Sequence, residues 1–174
     1  MTGKTFLKTV TNGEIDIIQM LLSLLEETES SYCVIGGLAV NAYAEPVVSL
    51  DLDLVVVSGR VEALCKSARS KGMKVEKFEH SFNLSVKGSD LRIQLQTDPR
   101  YQGFIARSIR RKVLGYKMAV ASIQDVLTGK IWAFADKTRR QSKRQKDLAD
   151  IMRLVETHPE LKSELPPEIA TQFN

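Results

Sequence analysis

Val34-Ile35-Gly36-Gly37-Leu38-Ala39, followed by Ser49-Leu50-Asp51-Leu52-Asp53-Leu54-Val55-Val56, is the stretch on which the reading turns. An apolar strand that runs into two glycines and then a short helix lets backbone amides approach a phosphate with no Cβ in the way. Asp51 and Asp53 stand one residue apart on a second strand, so both carboxylates project from the same face. Leu50, Leu52, Leu54 and Val55 to Val57 around them are all apolar. Two ionised carboxylates side by side in such a strand repel each other, which costs free energy unless a cation sits between them. Magnesium, held by one or two carboxylates plus substrate phosphates, removes that cost. The plainer alternative is a pair at a strand end, solvated or matched by an arginine.

On the N-terminal side, Asn12 or Thr11 is expected to cap a first helix. Its Ile15, Ile17, Ile18, Met20, Leu21, Leu24 and Leu25 recur every three or four positions as far as Glu27. Ser31 to Ile35 reads as a short buried strand, Leu38 to Ala44 as a short helix closed by Pro46, and Leu50 to Val57 as the aspartate-bearing strand. Arg60 to Lys71 is an amphipathic helix ending at Gly72. Met73 to Phe78, Phe82 to Val86 and Leu91 to Thr97 alternate as strands. After Pro99 the chain is expected to be helical through Ile109, with a short strand over Tyr116 to Val120. Ser122 caps a helix through Ala135, Asp147 to Glu156 lies on a last long helix, and the tail beyond His158-Pro159 is expected to be peripheral. The fold class is therefore α/β (α+β): a mixed sheet flanked by helices, with a core over residues 1–120 and a helical C-terminal part over residues 121–174 that completes the cleft.

With 174 residues, 43% of them hydrophobic, and a net charge of +4, the chain can bury a core without disulfides. Cys33 and Cys65 are not spaced as a redox or metal pair, and read as core thiols of a reduced, cytoplasmic protein. No stretch approaches the ~20 apolar residues of a membrane span. Positive charge is gathered at Arg100 to Lys112 and at Lys137 to Lys146, either as phosphate-binding clusters or as solvated helix faces. His80 and His158 have no ligand partner at metal spacing and read as surface residues, and Trp132 reads as core packing.

Gly36-Gly37, a short helix and Ser49-Leu50-Asp51-Leu52-Asp53 together resemble the signature of the nucleotidyltransferase (DNA polymerase β-like) superfamily. Asp125-Val126-Leu127-Thr128-Gly129-Lys130, then Lys146-Asp147-Leu148-Ala149-Asp150-Ile151, is similar to the C-terminal pattern of the AbiEii-type group, whose members include toxins of toxin-antitoxin systems. The resemblance implies a nucleoside triphosphate bound with Mg²⁺ (or Mn²⁺) and transfer of a nucleoside monophosphate to an acceptor hydroxyl. It implies Asp51 and Asp53 as metal ligands, and Gly36, Gly37, Ser49 and Lys130 along the triphosphate. Asp147 would serve catalysis from the helical side. The acceptor would be tRNA or another RNA, or a protein, and a partner protein of a two-component system is a further expectation.

The pattern departs at the strand that should carry a third carboxylate, Leu91-Arg92-Ile93-Gln94-Leu95-Gln96, where glutamine stands at Gln94. Asp90 and Asp98 each lie four residues away, roughly 13 Å along an extended strand, and are no substitute. Val47-Val48 also stands where relatives often have an arginine before the serine. Two alternatives therefore stay open: a catalytically impaired member that serves as a nucleotide- or protein-binding module, and a basic nucleic-acid-binding protein.

Overall fold

The computed structural model of the protein describes residue 5 and residues 16–173. Helix α1 (Ile17–Glu27) is capped by Asp16, whose side chain accepts from the Gln19 N–H at 3.0 Å. Its buried stripe is Ile17, Ile18, Leu21, Leu24 and Leu25, the spacing of a helix laid on a core. The expected caps Asn12 and Thr11, and Ile15 with them, fall outside the described residues. Strand β1 (Tyr32–Ile35) runs directly into α2 (Gly36–Val40), and a loop leads to β2 (Asp51–Val56). Helix α3 (Val61–Ser70) and strands β3 (Lys74–Lys77), β4 (Ser81–Ser85) and β5 (Arg92–Gln96) follow in the expected order.

The helix expected from Pro99 to Ile109 is instead a short 3₁₀ segment (Pro99–Phe104) followed by strand β6 (Ile109–Val113). β6 pairs with β7 (Tyr116–Val120) through Leu114 and Gly115, at φ 52° and 83°. Two consecutive positive-φ residues make the tight hairpin turn that right-twisted strands favour. Helix α4 (Ile123–Ala135) starts at Ser122, whose Oγ accepts from the Asp125 N–H at 3.2 Å, and α5 (Gln141–Thr157) packs against it and against α2. The tail is not peripheral. Its 3₁₀ turn Pro159–Glu164 and helix α6 (Pro167–Ala170) bury Leu161 and Ile169 to 1% and 2% exposure. His158 is likewise drawn in, with Nε2 2.7 Å from the Tyr43 carbonyl oxygen, whereas His80 is exposed.

Among the described residues seven strands form one mixed sheet in the order β3-β4-β5-β2-β1-β7-β6. β2 lies antiparallel to β1, with Ile35 opposite Asp53, and parallel to β5, with Asp51 opposite Arg92 and Asp53 opposite Gln94. Alternation sorts the two faces. Leu52, Leu54, Ile93 and Leu95 are wholly buried on one, while Asp51, Asp53, Gln94 and Gln96 stay partly open on the other. Burying each such aliphatic side chain is worth about 1.5–3 kcal/mol. A one-residue slip of β2 would expose Leu52 and Leu54 and bury both aspartates, so the register is strongly specified.

Candidate functional site

β2 brings Asp51 and Asp53 to the same face, and the turn from β1 into α2 brings Gly36 against the second of them. Gly36 has φ +71°, and a Cβ built there would lie 2.3 Å from Asp53 Oδ2. Only glycine leaves that carboxylate its place. Gly37 is less demanding: its Cβ would meet Ser49 Oγ at 3.7 Å, an ordinary contact. Ser49 folds back on the strand start, its Oγ donating to the Asp51 carbonyl at 3.2 Å and accepting from the Asp51 N–H at 3.3 Å. Gly36, Asp53, Gln94, Gln96, Lys130 and Asp147 line one cleft of about 100 Å³, enough for a phosphate-sized group.

The two aspartates differ in their surroundings. Asp51 receives Arg92, with Nε donating to Oδ1 at 3.0 Å and a terminal guanidinium nitrogen 2.9 Å from the same oxygen. Lys143 Nζ stands 3.9 Å from its other oxygen. Asp53 has no hydrogen bond or ion pair among the described residues. Burial pushes its carboxyl up to about 6, Lys130 pulls it back, and the Asp51 charge adds to the rise. A carboxylate this far desolvated, opening only to the cleft and left without a partner among the described residues, is the group there that a cation would stabilise most.

Lys130 and Asp147 are brought together on α4 and α5, but mainly with each other. Lys130, 7% exposed, places Nζ 3.0 Å from Asp147 Oδ1 and 2.7 Å from Asp150 Oδ2. Arg139 Nε donates to Asp147 Oδ2 and an Arg153 terminal nitrogen donates to Asp150 Oδ1, each at 2.8 Å. Burial works against the Lys130 ammonium, yet Asp150 and Asp147 outweigh it and hold its pKa above the usual lysine value. Three cations share two carboxylates, so the network carries one formal positive charge toward Asp53. Residue order alone assigns no part to Arg92 or Arg153, and gives Arg139 and Asp150 only a place in a basic cluster and in the motif over residues 146–151. Arg92 was the legible one, since it has the same strand parity as Gln94.

The other carboxylate on the cleft wall, Asp125, is taken by Arg107 in a two-point contact at 2.8 and 3.0 Å and cannot serve as a third metal ligand. Trp132 packs in a cluster with Tyr101 and Phe104, and the Arg100 guanidinium lies 4.8 Å from its ring centroid. This cluster borders an open trough of about 610 Å³ that shares Gln96, Tyr101 and Arg139 with the cleft.

The donor set fits one hard dication. Asp53 is free, and Asp51 keeps one oxygen that Arg92 does not use; Mg²⁺ commonly takes one or two carboxylates and completes its shell with phosphates and water. It does not fit a cage of three carboxylates, because Gln94 faces Asp53 where the third would stand. Among the described residues no cluster of three or more His, Cys, Asp or Glu could hold a metal.

No protein-family model matches the chain, and no curated protein matches it in sequence. Solved structures do match in fold. The chain is similar to ANT(2'')-Ia in complex with adenylyl-2''-tobramycin at TM-score 0.63 and 16% identity, covering 91% of this chain and 97% of that one. It is similar to the lincomycin-bound lincosamide antibiotic adenylyltransferase LnuA at TM-score 0.56 and 12% identity, covering 82% and 99%. It is also similar to an antigenic nucleotidyltransferase-like protein from Paracoccidioides brasiliensis at TM-score 0.56 and 17% identity, covering 90% and 84%. The chain has the nucleotidyltransferase fold, over nearly its whole length.

Proposed function

We propose that the protein binds a nucleoside triphosphate with Mg²⁺ (or Mn²⁺) and transfers the nucleoside monophosphate to an acceptor hydroxyl, releasing pyrophosphate and a proton. The observation that carries this is the pairing of Asp51 and the unpartnered Asp53 on one open strand face, against a glycine that nothing larger can replace. Asp51 and Asp53 hold the cation, whose chemistry when bound is to offset the charge of the triphosphate. Gly36, Gly37 and Ser49 line the triphosphate. Lys130 acts from behind Asp53 as part of a fixed positive network, and Asp147 orients it. Arg139, which lines the cleft, and Lys143, 3.9 Å from Asp51, add positive charge beside it.

The AbiEii-type resemblance, and with it a role beside a partner protein of a two-component system, is supported by Lys130, Asp147 and Asp150 acting as one unit. The acceptor is a hydroxyl on tRNA or another RNA, on a protein, or on a small molecule. The last is suggested by the adenylyl-tobramycin and lincomycin complexes of the similar structures, and by a trough next to the cleft that is large enough for one.

Incubation with each α-labelled triphosphate, Mg²⁺, and total RNA, protein or aminoglycoside and lincosamide acceptors tests the reading by label transfer. Binding is tested separately. Saturating triphosphate with Mg²⁺, at about 100 times its dissociation constant, should stabilise the wild type by roughly 2.7 kcal/mol. The Asp51→Asn/Asp53→Asn protein should gain much less. No stabilisation by any of the four triphosphates would end the nucleotide reading.

A further inference from the structure

The polar row that crosses the sheet at the cleft floor is incomplete in a specific way. Asp53 on β2 faces Gln94 on β5, and Gln94 faces Asn83 on β4. Neither Asp53 nor the Gln94 amide has a hydrogen-bond partner among the described residues, and the buried Oδ1 of Asn83 has none either. One position along, Asp51 faces Arg92, and there the partner is made: two guanidinium nitrogens approach one carboxylate oxygen at 3.0 and 2.9 Å. Arg92 is pinned at its base as well, its N–H donating to the Leu50 carbonyl at 2.9 Å.

Two dications would bring four positive charges against two carboxylates, one of them already neutralised by Arg92, so that nearly all of the balance would fall on the triphosphate and little on the protein. A second cation would also need protein oxygens to fix its geometry, and Gln94 offers a single neutral carbonyl. A guanidinium has no such demand: it brings its charge on a fixed stem and needs no ligand shell.

We propose that this cleft takes one divalent cation with its nucleotide rather than two, and that the Arg92 guanidinium occupies the place beside Asp51 that a second cation would need. The inference rests on the nucleotide-binding reading above and adds to it the metal count and a positioning role for Arg92. Asp53, with the Asp51 oxygen that Arg92 leaves to the more distant Lys143, holds the single cation. Arg92 keeps Asp51 neutralised, and its side chain, 62% exposed, keeps part of the guanidinium open to solvent on that side.

Mn²⁺ bound per chain, counted by electron paramagnetic resonance at saturating α,β-methylene nucleoside triphosphate, tests the proposal, with analogue binding followed by calorimetry. The expected count per bound analogue is one in the wild type and one in Gln94→Asp, where Arg92 still blocks the second place. It is two in Arg92→Gln/Gln94→Asp, and it returns to one in Arg92→Lys/Gln94→Asp. Two Mn²⁺ in the wild type would overturn the single-cation site while leaving nucleotide binding intact. Two in Gln94→Asp, or one in Arg92→Gln/Gln94→Asp, would overturn the part given to Arg92. Failure of the wild type to bind any of the four analogues with Mn²⁺ would overturn the nucleotide reading and this inference together. Analogue binding reports in the same experiment that each variant is folded.

Discussion

Gly36 and Asp53 are packed so closely that a Cβ on the glycine would lie 2.3 Å from the aspartate Oδ2. The turn and the carboxylate therefore specify each other. Gly36→Ala must also hold a side chain at φ +71°, and both effects act in the folded state. Urea denaturation should show a loss of at least about 2 kcal/mol. Gly37→Ala, whose nearest neighbour would be 3.7 Å away, should stay near the wild type. Equal loss in the two variants would mean that the close approach at Asp53 has no energetic weight.

The desolvated Asp53 gives a pH prediction. Its pKa rises from 3.8 to about 6 on folding, so between those values the folded state binds more protons than the unfolded one. The contribution to stability is then fully present below pH 3.8, falls as pH rises toward 6, and stays lost above it. Asp53→Asn removes the ionisation. At pH 8 without ligand the variant should be more stable than the wild type, by at most about 3 kcal/mol since the carboxylate keeps an opening to the cleft. The gap should close near pH 4. A variant that is less stable at pH 8 would show that Asp53 is satisfied in the free protein.

Much of this arrangement could be read from residue order, and the remainder shows why some could not. Asp51 and Asp53 share a face because strands alternate, and that needs no knowledge of neighbours. The Arg92–Asp51 pair needs the parallel register of β2 and β5, which residue order alone leaves open. Residue order gives no sign of strand β6 because Arg107 to Lys112 has no period-two apolar pattern, as suits an edge strand with Arg110 and Lys112 exposed. Its turn, Leu114-Gly115, lacks the usual Asn-Gly or Asp-Gly signal. Among the described residues of the tail, two side chains, Leu161 and Ile169, are buried among prolines and charges, too few to form a periodic stripe.

Lys130 is the hinge of a buried ion network, and its loss should be felt in the fold before it is felt in chemistry. Lys130→Met leaves Asp147 with Arg139 and Asp150 with Arg153, but removes the charge that both carboxylates share. Breaking one side of a buried network costs about 3–5 kcal/mol. Lys130→Met/Asp147→Asn/Asp150→Asn should recover part of that, because no carboxylate charge is left buried there, while the half-exposed Arg139 can turn to solvent and Arg153 keeps Asn41. A triple variant less stable than Lys130→Met would show that the arginines, not Lys130, hold the two aspartates.

The cleft floor can be tested by charge alone at Gln94. Gln94→Asp and Gln94→Asn remove the same methylene and differ only in ionisation, so their difference isolates electrostatics from shape. Adjacent strands lie about 4.8 Å apart, which places a carboxylate at position 94 roughly 5 Å from that of Asp53. At an effective dielectric constant of about 20 the repulsion is at most about 3 kcal/mol, and the positive network around Lys130 screens part of it. Without ligand at pH 8, Gln94→Asp should therefore be about 1–3 kcal/mol less stable than Gln94→Asn. The gap should shrink as pH falls through about 6, the value at which Asp53 already takes up its proton beside a neutral neighbour. Like charges favour the protonated form, so the transition should start at a higher pH in Gln94→Asp than the wild-type titration would suggest. Saturating Mg²⁺ with a non-hydrolysable triphosphate should narrow the gap at pH 8, because a cation between the carboxylates turns their repulsion into shared attraction. Guanidine denaturation of the two variants across pH 4.5 to 8, with and without ligand, gives all three comparisons. Identical stability of Gln94→Asp and Gln94→Asn at pH 8 would mean that the side chain at this position does not face Asp53.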